Sequence, residues 1–219
     1  LANPITILEA IERTSQRLTV FTQGGCMHAA EKLPRLCGLL DSMAIQVSAP
    51  RGGTFHPKLW LLRFKPQGDG DATPLLRLLV LSRNLTNDRS WDVVLRLEGE
   101  PGRRNVAANH PLAQLVGALP DLAIRPDSVS PSVKALTREL SEQALRTVWD
   151  LPEGFEEFDF ETVGFGRRTF FPDSDRLAVI SPFCDDPALE MLAESSRDPA
   201  LLLSRAETLE AISPTVRAR

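Results

Sequence analysis

Long apolar runs, an excess of basic residues and a cysteine framework are all missing from this sequence. No run approaches the ~18 apolar residues that a membrane-spanning helix needs, and the first residues lack the basic start and apolar block of a signal peptide. The net charge of −4 argues against holding long nucleic acid by electrostatics alone, although one phosphate needs only a local positive pocket. The three cysteines, Cys26, Cys37 and Cys184, are widely spaced, which indicates reduced thiols and predicts a cytoplasmic protein.

Strand-like and helix-like segments alternate along the chain, which predicts an α/β fold with a mixed β-sheet flanked by helices. Strands are expected at 17–25, 43–50, 52–64, 75–82 and 91–99, and helices at 27–42, around 112–119 and from a Ser130 cap to near Leu151. The stretch "LPEGFEEF" (151–158) reads as a linker, and a strand–helix–strand after residue 175 resembles the one that opens the chain. We therefore expect one half-domain at 1–151 and the incomplete start of a second at 152–219.

The segment "GGTFHPKLWLLRF", Gly52 to Phe64, combines an apolar strand pattern with two cationic side chains. Alternation along a strand puts His56 and Lys58 on the same face, roughly 7 Å apart along it. An imidazole and an ammonium at this spacing can reach one small anion, such as a phosphate. Pro57 removes a ladder donor and places this end of the strand at an edge or rim.

The next strand supplies polar groups where it ends. "LLRLLVLS" is a near-continuous apolar run that leads into Ser82, Arg83 and Asn84. Ser82 and Asn84 can donate hydrogen bonds to a phosphate oxygen. Asp92, at the start of the following strand, can hold an imidazole N–H and set its tautomer. If the two strands are neighbours, we expect these side chains to converge with His56 and Lys58.

This pairing of "HPK" with "SRNLT" resembles the phospholipase D superfamily, whose signature is H-x-K, usually with an Asp five residues later, followed by a G-S-x-N-type element. Arg63 stands at the position of that Asp, and Leu81 at the position of the usual Gly. H-x-K without the Asp is similar to the tyrosyl-DNA phosphodiesterase branch. The resemblance extends from about Thr19 to Gly99 and is weaker from "LAVISPF" onward.

The resemblance implies a reaction and a role for each residue. In the superfamily two H-x-K halves meet: one His attacks phosphorus to form a phosphohistidine, and the other protonates the leaving oxygen and then activates water. His56 would be the nucleophile or the acid/base, Lys58 the phosphate clamp and Asn84 a second oxygen ligand, with Ser82 and Asp92 supporting. Arg51 and Arg83 are further candidates for contacts with the phosphate or the nucleic acid. No metal or other cofactor is implied, because cationic side chains neutralise the developing charge.

A second H-x-K is absent from the 219 residues, since His28 and His110 lack the following Lys. Three arrangements stay open: the second half lies beyond residue 219, two copies pair as a homodimer to complete the site, or no complete site exists. A zinc site at Cys26, His28 and Cys37 is not expected, because the spacing fits no common finger.

The expected activity is that of a phosphodiesterase acting on nucleic acid, with DNA favoured over RNA, as a nuclease or DNA-end-processing enzyme in repair or defence. The first alternative is a non-catalytic module that keeps the fold and binds nucleic acid or assembles with a partner. A lipid phosphodiesterase comes third, because no amphipathic membrane stretch is evident and no membrane partner is expected.

Overall fold

The computed structural model describes residues 4–26, 43–67, 72–84, 89–164, 173–198 and 201–218. The chain divides into two compact units, 1–165 and 166–219. The half-domains expected at 1–151 and 152–219 stay a prediction. The predicted α/β class with a sheet flanked by helices is confirmed, but the four-stranded sheet is antiparallel throughout, and the parallel strands form separate pairs and not one mixed sheet. The predicted helix at 27–42 lies outside the described residues.

The first unit contains three helices, six strands and four short 3₁₀ turns among its described residues. The helices are α1 (Pro4–Ser15), α2 (His110–Ala118) and α3 (Pro131–Arg146). The strands are β1 (Val20–Gln23), β2 (Ala44–Val47), β3 (Leu59–Phe64), β4 (Leu75–Leu81), β5 (Val94–Pro101) and β6 (Thr147–Asp150). The 3₁₀ turns are Pro50–Gly52, Ala107–Asn109, Leu119–Leu122 and Pro126–Ser128.

Strands β3 to β6 form an antiparallel sheet in sequence order. In its register Leu61 lies opposite Leu78, and Leu78 lies opposite Leu97. Opposite residues in an antiparallel pair share a face, so these leucines form a row on one side of the sheet. The apolar alternation of the sequence therefore sets which face of the sheet is buried.

The core of the first unit lies between this face and helices α2 and α3. Its buried members are Leu76, Leu78, Leu97, Leu112, Val116, Ala144 and Trp149. Ser130 caps α3 as predicted, because its hydroxyl accepts a hydrogen bond from the Val133 N–H at 3.3 Å. Burying this row against two helices is the main stabilising contribution to the fold.

The end of α3 differs from the sequence-based prediction. The helix was expected to continue to near Leu151 with Val148 in its apolar stripe, but it ends at Arg146, and Thr147–Asp150 form β6. Strand β6 pairs with β5, and this pairing buries Trp149 and leaves Val148 65% exposed. Pairing with a strand far away in sequence has overridden the local helical pattern.

The segment after β6 is more than the linker that "LPEGFEEF" suggested. Residues 151–164 have no regular secondary structure, yet Phe158 and Phe160 pack against the core cluster. The Phe160 ring meets the Trp149 ring edge to face, with centroids 6.4 Å apart. This stretch therefore covers part of the core.

Strands β1 and β2 are parallel and pair separately from the four-stranded sheet. They are tied to the stretch after α2, because the Ile124 N–H donates to the Gln46 carbonyl at 2.9 Å. Gly24 follows β1, and its N–H donates to the Val47 carbonyl at 2.8 Å. The side chain of Ile124 lies so close to Gly24 that a Cβ there would collide with it.

The second unit contains β7 (Ala178–Ile180), α4 (Asp186–Glu194), β8 (Leu201–Leu203), α5 (Ala206–Ala211) and α6 (Pro214–Arg217) among its described residues. Strands β7 and β8 are parallel, which matches the predicted strand–helix–strand. Asp185 caps α4 by accepting the Ala188 N–H at 3.0 Å. Within the described ranges of either unit, the search for a helix long and apolar enough to cross a membrane finds none.

Candidate phosphate site at the ends of β3 and β4

His56 and Lys58 lie just before β3 and not within it. The strand begins at Leu59, whereas the sequence predicted a strand over both cationic residues. Pro57 has no N–H to donate, which limits pairing here. The Lys58 carbonyl nevertheless accepts the Leu81 N–H at 2.8 Å, so Lys58 is held against the end of β4. His56 and Lys58 therefore lie at a strand end, as predicted, but in the segment that leads into the strand.

The side chains of His56 and Lys58 are in direct contact. The Lys58 Nζ lies 2.9 Å from His56 Nδ1 and 3.2 Å from Nε2. It also lies 3.4 Å from the His56 carbonyl oxygen. His56 is exposed and Lys58 is half-buried, so a ligand can reach the imidazole from solvent.

This contact has a defined chemical meaning. An ammonium has three donors and no lone pair, so a hydrogen bond between the two groups requires an unprotonated nitrogen on His56. The lone pairs of the two ring nitrogens lie in the ring plane and point in diverging directions, so an ammonium this close to both lies over the ring and is aligned with neither. An imidazole and a cation therefore lie at one exposed point.

Ser82 and Asp92 form a second polar pair at the neighbouring strand end. The Ser82 hydroxyl donates to Asp92 Oδ1 at 2.5 Å, and the Ser82 N–H donates to the same oxygen at 3.1 Å. The Ser82 hydroxyl also accepts the Val93 N–H at 3.0 Å. These bonds fix the stretch that leads into β5 against the end of β4.

The two pairs lie on adjacent strand ends. Leu59 is opposite Val80 in the β3–β4 register, and continuing it through the Lys58–Leu81 bond puts Pro57 opposite Ser82. The predicted pairing of the two strands is thus confirmed. The sequence also predicted that Asp92 holds an imidazole N–H, but the described hydrogen bonds of Asp92 go to Ser82.

The remaining predicted site residues are Asn84, Arg83 and Arg51. Asn84 and Arg83 follow β4 directly, and Asn84 is exposed. Arg51 lies in the 3₁₀ turn Pro50–Gly52, and its side chain lies outside the described part of the structure. The predicted convergence of Asn84 on the His56–Lys58 pair stays a prediction, and so do the contacts of Arg51 and Arg83 with the phosphate or the nucleic acid.

Gln23 positions the site and was not found from the sequence. Its side-chain oxygen Oε1 accepts the Phe55 N–H at 2.6 Å, and the Phe55 ring is buried. This bond joins the end of β1 to the residue directly before His56. The sequence shows a polar residue at the end of a strand, just before Gly24-Gly25. Its hydrogen-bond partner could not be identified from the sequence, because that partner is 32 residues away.

Arg63, at the position of the superfamily aspartate, has a structural partner. Its guanidinium lies 2.6 Å from the Glu139 carboxylate on α3. The hydrogen bond from Arg63 holds the pKa of Glu139 below its ordinary value, although partial burial opposes the shift. This pair ties β3 to α3 and faces the core side of the sheet.

No three His, Cys, Asp or Glu side chains in the described ranges are grouped so that they could hold a metal ion. His110, the other described histidine, is the first residue of α2, and His28 lies outside the described residues. The described chain thus contains one H-x-K pair.

Comparison with known proteins adds no relative. No family model, no curated protein and no solved structure matches this chain. The proposal for its function therefore rests on the residues of the candidate phosphate site.

Proposed function

We propose that this chain is a metal-independent phosphodiesterase of the phospholipase D type, and that it acts on DNA as a nuclease or end-processing enzyme. The observation that carries the proposal is the contact between His56 and Lys58 just before the start of β3. The short H-x-K motif alone would fit any polar strand edge. Its position beside the Ser82–Asp92 pair, at the end of the strand that carries the S-x-N element, supports the enzymatic reading.

The proposed reaction follows from these groups. The unprotonated nitrogen of His56 attacks phosphorus, a phosphorus–nitrogen bond forms, and the bond from phosphorus to the leaving oxygen breaks. A second acid, from a partner copy or another half, protonates that oxygen and then takes a proton from the water that hydrolyses the phosphohistidine. Lys58 and Asn84 stabilise the charged phosphoryl oxygens.

Lys58 must move for this reaction to begin. Its ammonium now lies where a phosphate oxygen beside His56 would lie. Its flexible four-carbon stem allows the ammonium to follow the incoming phosphate, which accepts stronger hydrogen bonds than a neutral imidazole does. Binding of the phosphate thus frees the imidazole nitrogen and places the cation against the developing charge.

The test is cleavage of labelled single- and double-stranded DNA in excess EDTA. We expect cutting by the unchanged chain and a loss of at least ~100-fold in His56→Ala and Lys58→Ala. His110→Ala and Lys65→Ala are matched controls, since both residues are exposed; Lys65 follows β3 at the end opposite His56, and His110 begins α2. If two copies complete the site, activity per chain rises with protein concentration. Cutting that EDTA abolishes, or that survives in His56→Ala, would sink the proposal.

The second candidate is a non-catalytic module that binds nucleic acid or assembles with a partner. The single H-x-K pair among the described residues favours it. In that case the chain binds DNA, and Lys58→Ala weakens this binding. No cleavage is then observed at any protein concentration, and none by a longer chain that extends beyond residue 219.

A further inference from the structure

Trp91 is the most exposed large apolar side chain of the described residues. It is 96% exposed, whereas Trp149 is 5% exposed and Trp60 is half-buried. Aromatic rings normally supply buried area to cores and interfaces. A tryptophan held almost wholly in water contributes little to the fold, so its ring is available to a ligand.

Trp91 lies on the stretch that leads into β5, at the same end of the sheet as the candidate phosphate site. It directly precedes Asp92, which is held by the Ser82 hydroxyl and N–H. The Ser82 N–H also donates to the Val93 carbonyl at 3.0 Å, so Val93 lies opposite Ser82, which in turn lies opposite Pro57. Two strand spacings separate Pro57 from Val93, roughly 10 Å. Trp91 lies two residues before Val93 in the chain.

The charges around this stretch suit a polyanion. His56 and Lys58 lie on one side of Ser82, and Arg89 is exposed just before Trp91. The nearby carboxylate of Asp92 accepts hydrogen bonds from Ser82, which reduces its repulsion of an anion. Proteins that bind single strands combine cations along the backbone with aromatic rings on which bases stack.

We propose that Trp91 is a stacking platform for an unpaired base of single-stranded DNA whose phosphate is bound at His56 and Lys58. This inference rests on the proposed function and specifies its substrate. A duplex keeps its bases stacked on each other and cannot offer one to the ring without unpairing. The chain therefore prefers single-stranded DNA or frayed ends.

The experiment measures binding in EDTA, in a His56→Ala background that prevents cleavage. The probes are a fluorescein-labelled oligo(dT), an oligonucleotide of equal length with every base replaced by an abasic site, and a duplex. Trp91→Leu removes the ring and keeps an apolar side chain, and Trp91→Phe restores a ring. Phe64→Leu is the matched control, because Phe64 is also an exposed aromatic residue, at 44%, and it lies at the opposite end of β3 from His56 and Lys58.

We expect Trp91→Leu to weaken oligo(dT) binding roughly 5- to 150-fold, to leave abasic binding unchanged, and to be largely rescued by Trp91→Phe. Equal oligo(dT) binding with and without the ring overturns the stacking role, and cleavage by the unchanged chain then shows that the proposed function survives. An equal loss on both single-stranded probes also overturns it, because the ring would act without a base. If no probe binds and no DNA is cut, both proposals fail.

Discussion

The polar cluster around Asn109 and the polar cluster at the ends of β3 and β4 use similar hydrogen bonds in opposite surroundings. Asn109 is fully buried; its amide N–H groups donate to the Ala144 and Thr147 carbonyls at 2.8 and 2.7 Å, and its oxygen accepts the Trp149 indole N–H at 3.1 Å. At the strand ends, by contrast, His56 is exposed.

The difference separates two uses of polar residues. A buried amide with every group paired fixes one packing arrangement, because any alternative leaves polar groups without partners. Exposed groups that bond to one another gain little net stability, since water competes for the same bonds. Polar residues at the strand ends therefore contribute less to folding than the buried cluster does, and mutations at the two clusters should differ in the free energy of unfolding.

The largest expected effect is at the buried cluster. Asn109→Ala removes the bonds that Asn109 makes to the Thr147 carbonyl and the Trp149 indole N–H, at ~1–3 kcal/mol for each buried group, while the Ala144 carbonyl keeps the Thr147 N–H as a donor. We expect the free energy of unfolding to fall by about 3 kcal/mol or more, measured by urea titration. Asn105→Ala, at an exposed asparagine, is the control. A loss below about 0.5 kcal/mol in Asn109→Ala would contradict the comparison.

A smaller effect is expected where Asp92 holds Ser82. Asp92→Ala removes two hydrogen bonds at an exposed position, so we expect a loss of about 1 kcal/mol. A double-mutant cycle with Ser82→Ala isolates the pair and should give a coupling of about 0.5–1 kcal/mol. Additive single losses would mean that the two side chains do not stabilise each other in solution.

Local signals in the sequence predicted much of the first unit. Ser130 before Pro131 marked the start of α3, and the apolar runs marked β3 and β4. The H-x-K and S-x-N elements were expected at neighbouring strand ends, and the register places them there. Each of these features depends on residues close in sequence or on one hairpin.

What the sequence missed depends on distant partners. Strand β6 forms because its backbone pairs with the edge of β5, and the sequence around Val148 does not predict this pairing. The bond from the Phe55 N–H to Gln23 joins two elements that only the fold brings together. The hydrogen bonds of Asp92 to Ser82 likewise join two residues that are ten positions apart in sequence.

The Arg63–Glu139 pair predicts a modest dependence of stability on pH. The Arg63 hydrogen bond lowers the pKa of Glu139, so the folded protein binds this proton less readily than the unfolded chain does. The stabilisation is complete above the ordinary glutamate pKa of about 4.3 and is lost as the pH falls through the lower folded value. Because Glu139 is 48% exposed, we expect only about 0.5 kcal/mol. Unfolding of Glu139→Gln between pH 6 and 3 should show a shallower decline, and an identical decline would show that the pair contributes nothing.

The smallest expected effect on folding is at His56, where the largest effect on cleavage is expected. His56 is exposed and its described side-chain contact is with Lys58, so His56→Ala should change the free energy of unfolding by less than about 0.5 kcal/mol. The urea titrations that measure Asn109→Ala would check this on the protein used for cleavage. A large loss of stability in His56→Ala would show that the His56–Lys58 pair stabilises the fold, as the buried cluster around Asn109 does. An unchanged stability together with lost cleavage would show that this pair is retained for chemistry, which is the distinction between the two clusters.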